Sequence, residues 1–168
     1  MNNKIKLDIG SGRAHFEDYI TVDKDPAVGA DFCIDVENLI SIMFCYDESL
    51  KNFEKKFSGK CDEIRAHHIL EHFRPENKVK MMYIFWELLK PGGILDIEVP
   101  IFPHPASVQD PTHLSFWMTE SFWYFTKGNK FGEAFTKRHS EYPVPLFEFV
   151  EEWRRGDWAY GIKLKKSI

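Results

Sequence analysis

Residues 67–72 read His-His-Ile-Leu-Glu-His, three imidazoles and a carboxylate within six positions. These are ligand types that hold a divalent cation, which would position a bound hydroxyl and lower its pKa. If a helix begins near His68, then His68, Glu71 and His72 stand at i, i+3 and i+4 on one face, with Ile69 and Phe73 on another. A distant histidine could complete such a site, and His113, in the Pro- and His-rich stretch 101–118, is the natural partner. Without a metal, His113 or His72, with Glu71 beside them, could serve as general base. The third reading is structural: the polar end of a buried strand followed by the first turn of a helix.

A second group of residues suits a nucleoside. "DIGSG" places Gly10 and Gly12 at the exit of an apolar run, where glycine permits positive φ and close approach of a ligand to the backbone. Asp23 ends the next run and could accept hydrogen bonds from both ribose hydroxyls. Asp35 ends a third run and could take an adenine amino hydrogen or cap a helix. The dinucleotide fingerprint wants a third glycine and an acid ~20 residues on. Position 14 is alanine instead, and Asp23 follows Gly12 by 11 residues, leaving room for a stunted helix at most. That pattern suits adenosine without a pyrophosphate.

The elements that must position these groups are strands at 4–10, 19–23, 30–35, 62–67 and 94–100, with helices expected over 37–57, from about Ile69, and over 76–90. Pro91 and two glycines stop the last of these helices. Thr119 and Ser121 can cap a short aromatic helix. Its rings, with Phe116 and Trp117, serve either as core or as a lid on a planar ligand. The end alternates as "LFEFVEEW" and "WAYGIKLK" around Gly156-Asp157, a hairpin. Strands alternating with helices predict an α/β fold with a doubly wound, mostly parallel sheet and a C-terminal antiparallel hairpin. Ligands of such sheets bind beyond the carboxyl ends of the strands, where every residue named above falls.

The totals fit one domain over 1–168. Of these residues 43% are hydrophobic, with no apolar run approaching the ~18 residues of a membrane span. Cys33, Cys45 and Cys61 are odd in number and far apart, which suits a reducing, cytoplasmic setting. A formal charge of −4 argues against broad nucleic-acid binding. Lys163–Lys166 reads as a solvated edge.

The ordered set "KLDIGSG…YITVDKDP…ADFCIDVENL…DEIRAHHILEHF…LLKPGGILDIEVP" resembles class I S-adenosylmethionine-dependent methyltransferases over roughly residues 4–100. The resemblance implies a Rossmann-like fold. Asp8, Gly10 and Gly12 would line the methionine part of the cofactor, and Asp23 would hold the ribose. Lys24, Asp35 and Val36 would lie around the adenine, with Ala66 and His67 supplying backbone at the fourth strand's end. "HILEH" together with "THLSFWMTESF" is similar to the small-RNA 3′-terminal 2′-O-methyltransferases, whose metal ligands would correspond to His68, Glu71, His72 and His113. A methyltransferase with a small-molecule or terminal-nucleotide acceptor follows, an oxygen nucleophile being preferred. The alternative is a non-catalytic binder of S-adenosylmethionine or S-adenosylhomocysteine, or a partner subunit with a degenerate methyltransferase fold. The missing third glycine, the truncated first helix and the long 36–61 segment depart from the family pattern.

Overall fold

The computed structural model describes residues 4–44, 47–138 and 144–167. Seven strands, β1 (Lys6–Ile9), β2 (Ile20–Asp23), β3 (Phe32–Cys33), β4 (Cys61–His67), β5 (Leu89–Pro100), β6 (Glu148–Arg155) and β7 (Ala159–Lys165), form one sheet. Their order is β3-β2-β1-β4-β5-β7-β6. The first five run parallel, and β7 lies antiparallel between β5 and β6. The expected α/β class, mostly parallel sheet and C-terminal hairpin are all present. Strand order reverses between β1 and β4, so a crevice opens beyond their carboxyl ends.

Alternation sorts the side chains into two unlike faces. Leu7, Ile9, Val22, Ile64, Ala66, Leu95, Ile97 and Val99 share one face and are buried. Helices α1 (Glu48–Phe57) and α2 (Lys78–Leu88) join the same core through Phe53, Phe57, Met82 and Phe85. The Asp47 carboxylate caps α1 by accepting from the Ser49 amide, and Lys55 and Lys56 in its last turn complement the helix dipole.

The opposite face carries Lys6, Asp8, Glu63, Arg65, His67, Asp96 and Lys163. They pair across strands as Arg65–Asp8 (2.8 Å), Lys6–Glu63 (3.6 Å) and His67–Asp96 (2.7 Å). The β1–β2 connection lays Phe16 over the Arg65 guanidinium at 4.5 Å, and the Tyr19 hydroxyl donates to Glu63. That connection holds turns and no helix, in keeping with the 11 residues between Gly12 and Asp23. The second helical layer of a doubly wound sheet is therefore reduced here.

Several elements differ from expectation for local reasons. The third strand shortens to two residues, and the region expected to be helical over 37–57 splits into a 3-10 helix (Val36–Phe44) and α1. Leu39, Phe53 and Phe57 are buried as their spacing predicts. The aromatic helix is 3-10 (Thr119–Phe125), and Ser121 does cap it, its hydroxyl accepting from the Met118 amide. Trp117, Phe122 and Phe125 are buried, while Phe116, Trp123 and Tyr124 are exposed. Helix α3 (Lys130–Arg138) was not anticipated. The hairpin turns at Gly156, with φ 61°. Cys33 is exposed and Cys61 buried, both as free thiols, and Cys45 lies outside the described residues. Among the described residues no helix is long and apolar enough to cross a membrane.

Candidate active site

A pocket of about 350 Å³ opens at the switch point. Five of the nine residues expected at the cofactor line it, Gly10, Asp23, Lys24, Asp35 and Val36, joined by Glu37, Ile69, Thr112 and the expected His68 and His72. Gly10 has φ 72°, and a Cβ there would meet the Ile69 side chain at 2.8 Å, so the tight approach of β1's exit to Ile69 requires glycine. The Asp23 carboxylate accepts from the Gly12 amide (2.8 Å) and the Asp25 amide (2.9 Å), closing the glycine turn while facing the pocket. Asp35 accepts from the Glu37 amide at 3.0 Å, the capping role, and also lines the pocket. Glu37 was not singled out from sequence. Its carboxylate accepts from the Arg74 amide and the Asn77 side chain, fastening the pocket wall to the start of α2.

The other four residues expected at the cofactor do not line this pocket. Gly12 is held by Asp23, and Ala66 is buried in the core. His67 turns to the charged face and bonds Asp96. Asp8 is fully buried against Arg65, with its Oδ2 unpartnered. Burial raises the Asp8 pKa, opposed by the Arg65 hydrogen bond and charge.

The HHILEH stretch is not the start of a helix. His68 adopts φ 54°, the only positive φ at a non-glycine residue among the described residues, and Ile69 has φ −126°. Only a 3-10 turn, Leu70–His72, follows before Pro75. The predicted i, i+3, i+4 face therefore does not exist, although the His68 ring stays beside Glu71. Its Nε2 meets the Glu98 carboxylate at 2.9 Å, its Nδ1 faces Glu71 at 3.6 Å, and its ring stacks on Trp158. Glu71 followed by Glu98 raises the His68 pKa, against a desolvation cost.

Loop 101–118 instead brings His113 to the remaining pair. The Glu71 carbonyl accepts from the Leu114 and Ser115 amides (2.8 and 2.9 Å), and the Ser115 hydroxyl donates to the Leu70 carbonyl. One ligating atom from each of Glu71, His72 and His113 lies within 4.8 Å of the others. Nδ1 of His72 faces the Thr112 carbonyl and Nδ1 of His113 the Ser107 carbonyl, each at 3.1 Å. A carbonyl only accepts, so in the neutral rings the proton sits on Nδ1 and Nε2 keeps its lone pair. Glu71 is buried, and its Oε2 has no partner.

Glu98 is a second buried carboxylate that sequence reading passed over, because its partners come from the distant hairpin. Trp153 Nε1 (3.1 Å) and Arg155 (3.1 Å) reach it beside His68. Burial pushes its pKa up, but the hydrogen bonds from Trp153 and His68 and the nearby positive charge bring it below the usual glutamate value.

No family model and no curated protein matches the chain. Solved structures do. An S-adenosylmethionine-dependent methyltransferase from Archaeoglobus fulgidus aligns at TM-score 0.58 and 16% identity over 97% of this chain and 86% of that one. The 1,6-didemethyltoxoflavin N1-methyltransferase of Burkholderia thailandensis, solved with its substrate and S-adenosylhomocysteine, aligns at 0.58 and 14% over 98% and 71%. A Haloferax volcanii putative methyltransferase in complex with the Trm112 activator aligns at 0.56 and 10% over 99% and 83%. The fold is thus that of the class I S-adenosylmethionine-dependent methyltransferases.

Proposed function

We propose that this chain, built on the class I methyltransferase fold, is an S-adenosylmethionine-dependent methyltransferase acting on a hydroxyl acceptor. The observation that carries the reading is that His72 belongs both to the pocket at the switch point and to the Glu71–His72–His113 cluster. A cofactor in the first thus lies beside proton-accepting groups in the second.

In this reading Asp23 takes the ribose hydroxyls, Asp35 and Val36 border the adenine with Lys24, and Gly10 lets the cofactor approach the backbone. The sulfonium methyl is already electrophilic, so the protein's task is to align the acceptor and receive its proton. Nε2 of His72 or His113 can receive that proton, with the Glu71 carboxylate stabilising the resulting imidazolium.

A divalent cation is compatible with the cluster. Two lone pairs fixed by backbone carbonyls and an orphaned carboxylate oxygen fit the donor set of an open metal site. Glu71, His72 and His113 would hold it, and it would lower the acceptor hydroxyl's pKa. His68 borders that donor set, its Nε2 on Glu98 and its Nδ1 3.6 Å from Glu71.

S-Adenosylhomocysteine should raise the melting temperature while NAD does not, and Asp23→Ala should abolish the shift. No shift at millimolar S-adenosylhomocysteine would overturn the reading. Loss of turnover on chelation, restored by one divalent cation, would support the metal; indifference to both leaves the histidines as bases.

A further inference from the structure

A single histidine joins the Glu71–His72–His113 cluster to the C-terminal hairpin. A left-handed backbone such as that of His68, with φ 54°, is sparsely populated away from glycine and persists where the surroundings over-determine it. Three contacts do so here. The His68 amide donates to the Glu98 carbonyl at 2.8 Å, and Nε2 donates to the Glu98 carboxylate at 2.9 Å. The ring stacks on Trp158, with centroids 5.5 Å apart and planes 13° from parallel. Held this way, the ring turns its other nitrogen, Nδ1, toward the Glu71 carboxylate at 3.6 Å.

Both supports of the ring are fixed from the hairpin. Glu98 is 1% exposed, and Trp153 and Arg155 of β6 reach its carboxylate, each at 3.1 Å. Trp158 stands just before β7, and its carbonyl accepts from the Ile101 amide at 2.9 Å, at the start of the loop that carries His113. On the other side of the ring, Glu71 is buried and its Oε2 has no partner. Its Oε1 is reached by His68 Nδ1 and, at 4.0 Å, by His113 Nε2. A carboxylate removed from water settles where donor or positive groups compensate its lost hydration. Without the His68 ring, one of the two groups that direct Oε1 toward the cluster is gone.

We propose that His68 is a positioning residue of the acceptor cluster. It fixes the Glu71 carboxylate beside His113 and, through Glu98 and Trp158, makes the C-terminal hairpin the brace that sets the cluster's geometry. The inference rests on the methyltransferase reading above for what the cluster acts on, and on these contacts for how the cluster is held. Glu98 keeps Trp153 and Arg155 when the ring is removed, so a variant at His68 does not strand that buried charge.

The test uses the full chain with isotope-labelled glutamate carboxyls and histidine rings, read by nuclear magnetic resonance at one fixed pH. Glu71→Gln and His113→Asn assign the two signals. His68→Asn, which tolerates positive φ, should displace both the Glu71 carboxyl and the His113 ring resonances. Trp158→Leu should displace the same two, whereas Trp158→Phe keeps a stacking ring and should leave them near their wild-type positions. Trp158 does not line the pocket, so both Trp158 variants should bind S-adenosylhomocysteine as the wild type does. Unmoved signals in either His68→Asn or Trp158→Leu overturn the proposal, as does a displacement in Trp158→Phe as large as in Trp158→Leu. If His68→Asn does not fold, the two Trp158 variants decide alone. A wild-type chain that binds no S-adenosylhomocysteine overturns the methyltransferase reading, a separate result that leaves the resonance test in force.

Discussion

The two faces of the sheet solve the same problem with different chemistry. On one, Leu7, Ile9, Ile64, Leu95 and Ile97 meet the aromatic sides of α1 and α2, and stability comes from removing apolar surface from water. On the other, a parallel sheet that ordinarily receives helices is finished by cross-strand ion pairs and the Phe16–Tyr19 connection. The difference teaches where the chain can be shortened. The charged face gives up a helix layer without exposing apolar area, because its outward residues are already paired. The carboxyl ends of the strands, where the pocket lies, are unaffected.

The comparison breaks first on the apolar face. Phe85 is fully buried, and Phe85→Ala should cost about 3–5 kcal/mol in denaturant unfolding. A loss below ~1 kcal/mol would mean that α2 does not cover the sheet as described. Next comes the charged face at its most buried pair. Arg65→Met strands Asp8, whose pKa burial already raises, and should cost about 2–4 kcal/mol, below a fully buried pair because Arg65 is partly exposed. Adding Asp8→Leu should restore most of that loss. If the double variant is no better than the single, the cost lies in packing against Phe16 and not in the stranded charge.

A smaller effect tests the join between the charged face and the site. Trp153 lies flat over Gly161, where a Cβ would fall 2.0 Å from the indole, and its Nε1 holds Glu98. Gly161→Ala should cost about 1–3 kcal/mol by overpacking. It should also shift the ring resonances of His68, which shares Glu98. Unchanged His68 resonances would show that Trp153 does not position Glu98.

What sequence could reveal follows the same division. The glycine turn, the places of the main strands and the hairpin are written in short local patterns and appear as expected, and Asp23 lines the pocket. His113 was also legible, because loop 101–118 had to return over the strand ends. The helical face of His68, Glu71 and His72 was not real, because spacing alone cannot show that His68 turns left-handed under a backbone bond to the Glu98 carbonyl. Glu98 and Trp153 are 55 residues apart and meet only when β7 inserts between β5 and β6. The reduced layer was foreshadowed by the short Gly12–Asp23 spacing. Its replacement by ion pairs depends on the register of three strands, which no single segment contains.

The smallest effect concerns pH. The folded pKa of His68 is raised by Glu71 and Glu98, so its contribution to stability is complete below the unfolded value of about 6.5 and is lost as pH rises through the folded value. Glu98 works in the other direction. Its folded pKa is lowered, so its contribution is present above the ordinary glutamate value and disappears as pH falls through the folded one. The two slopes leave a plateau between them, bounded above by His68. His68→Asn keeps a residue that tolerates positive φ while removing the titrating ring, and it should flatten the alkaline limb alone. The His68 side chain is 38% exposed, so screening keeps the difference within about 1 kcal/mol. Unfolding curves at pH 5.5, 7 and 8.5 would show it. An alkaline limb that persists in His68→Asn would assign the titration to another group and leave the stacked histidine a purely steric part of the wall.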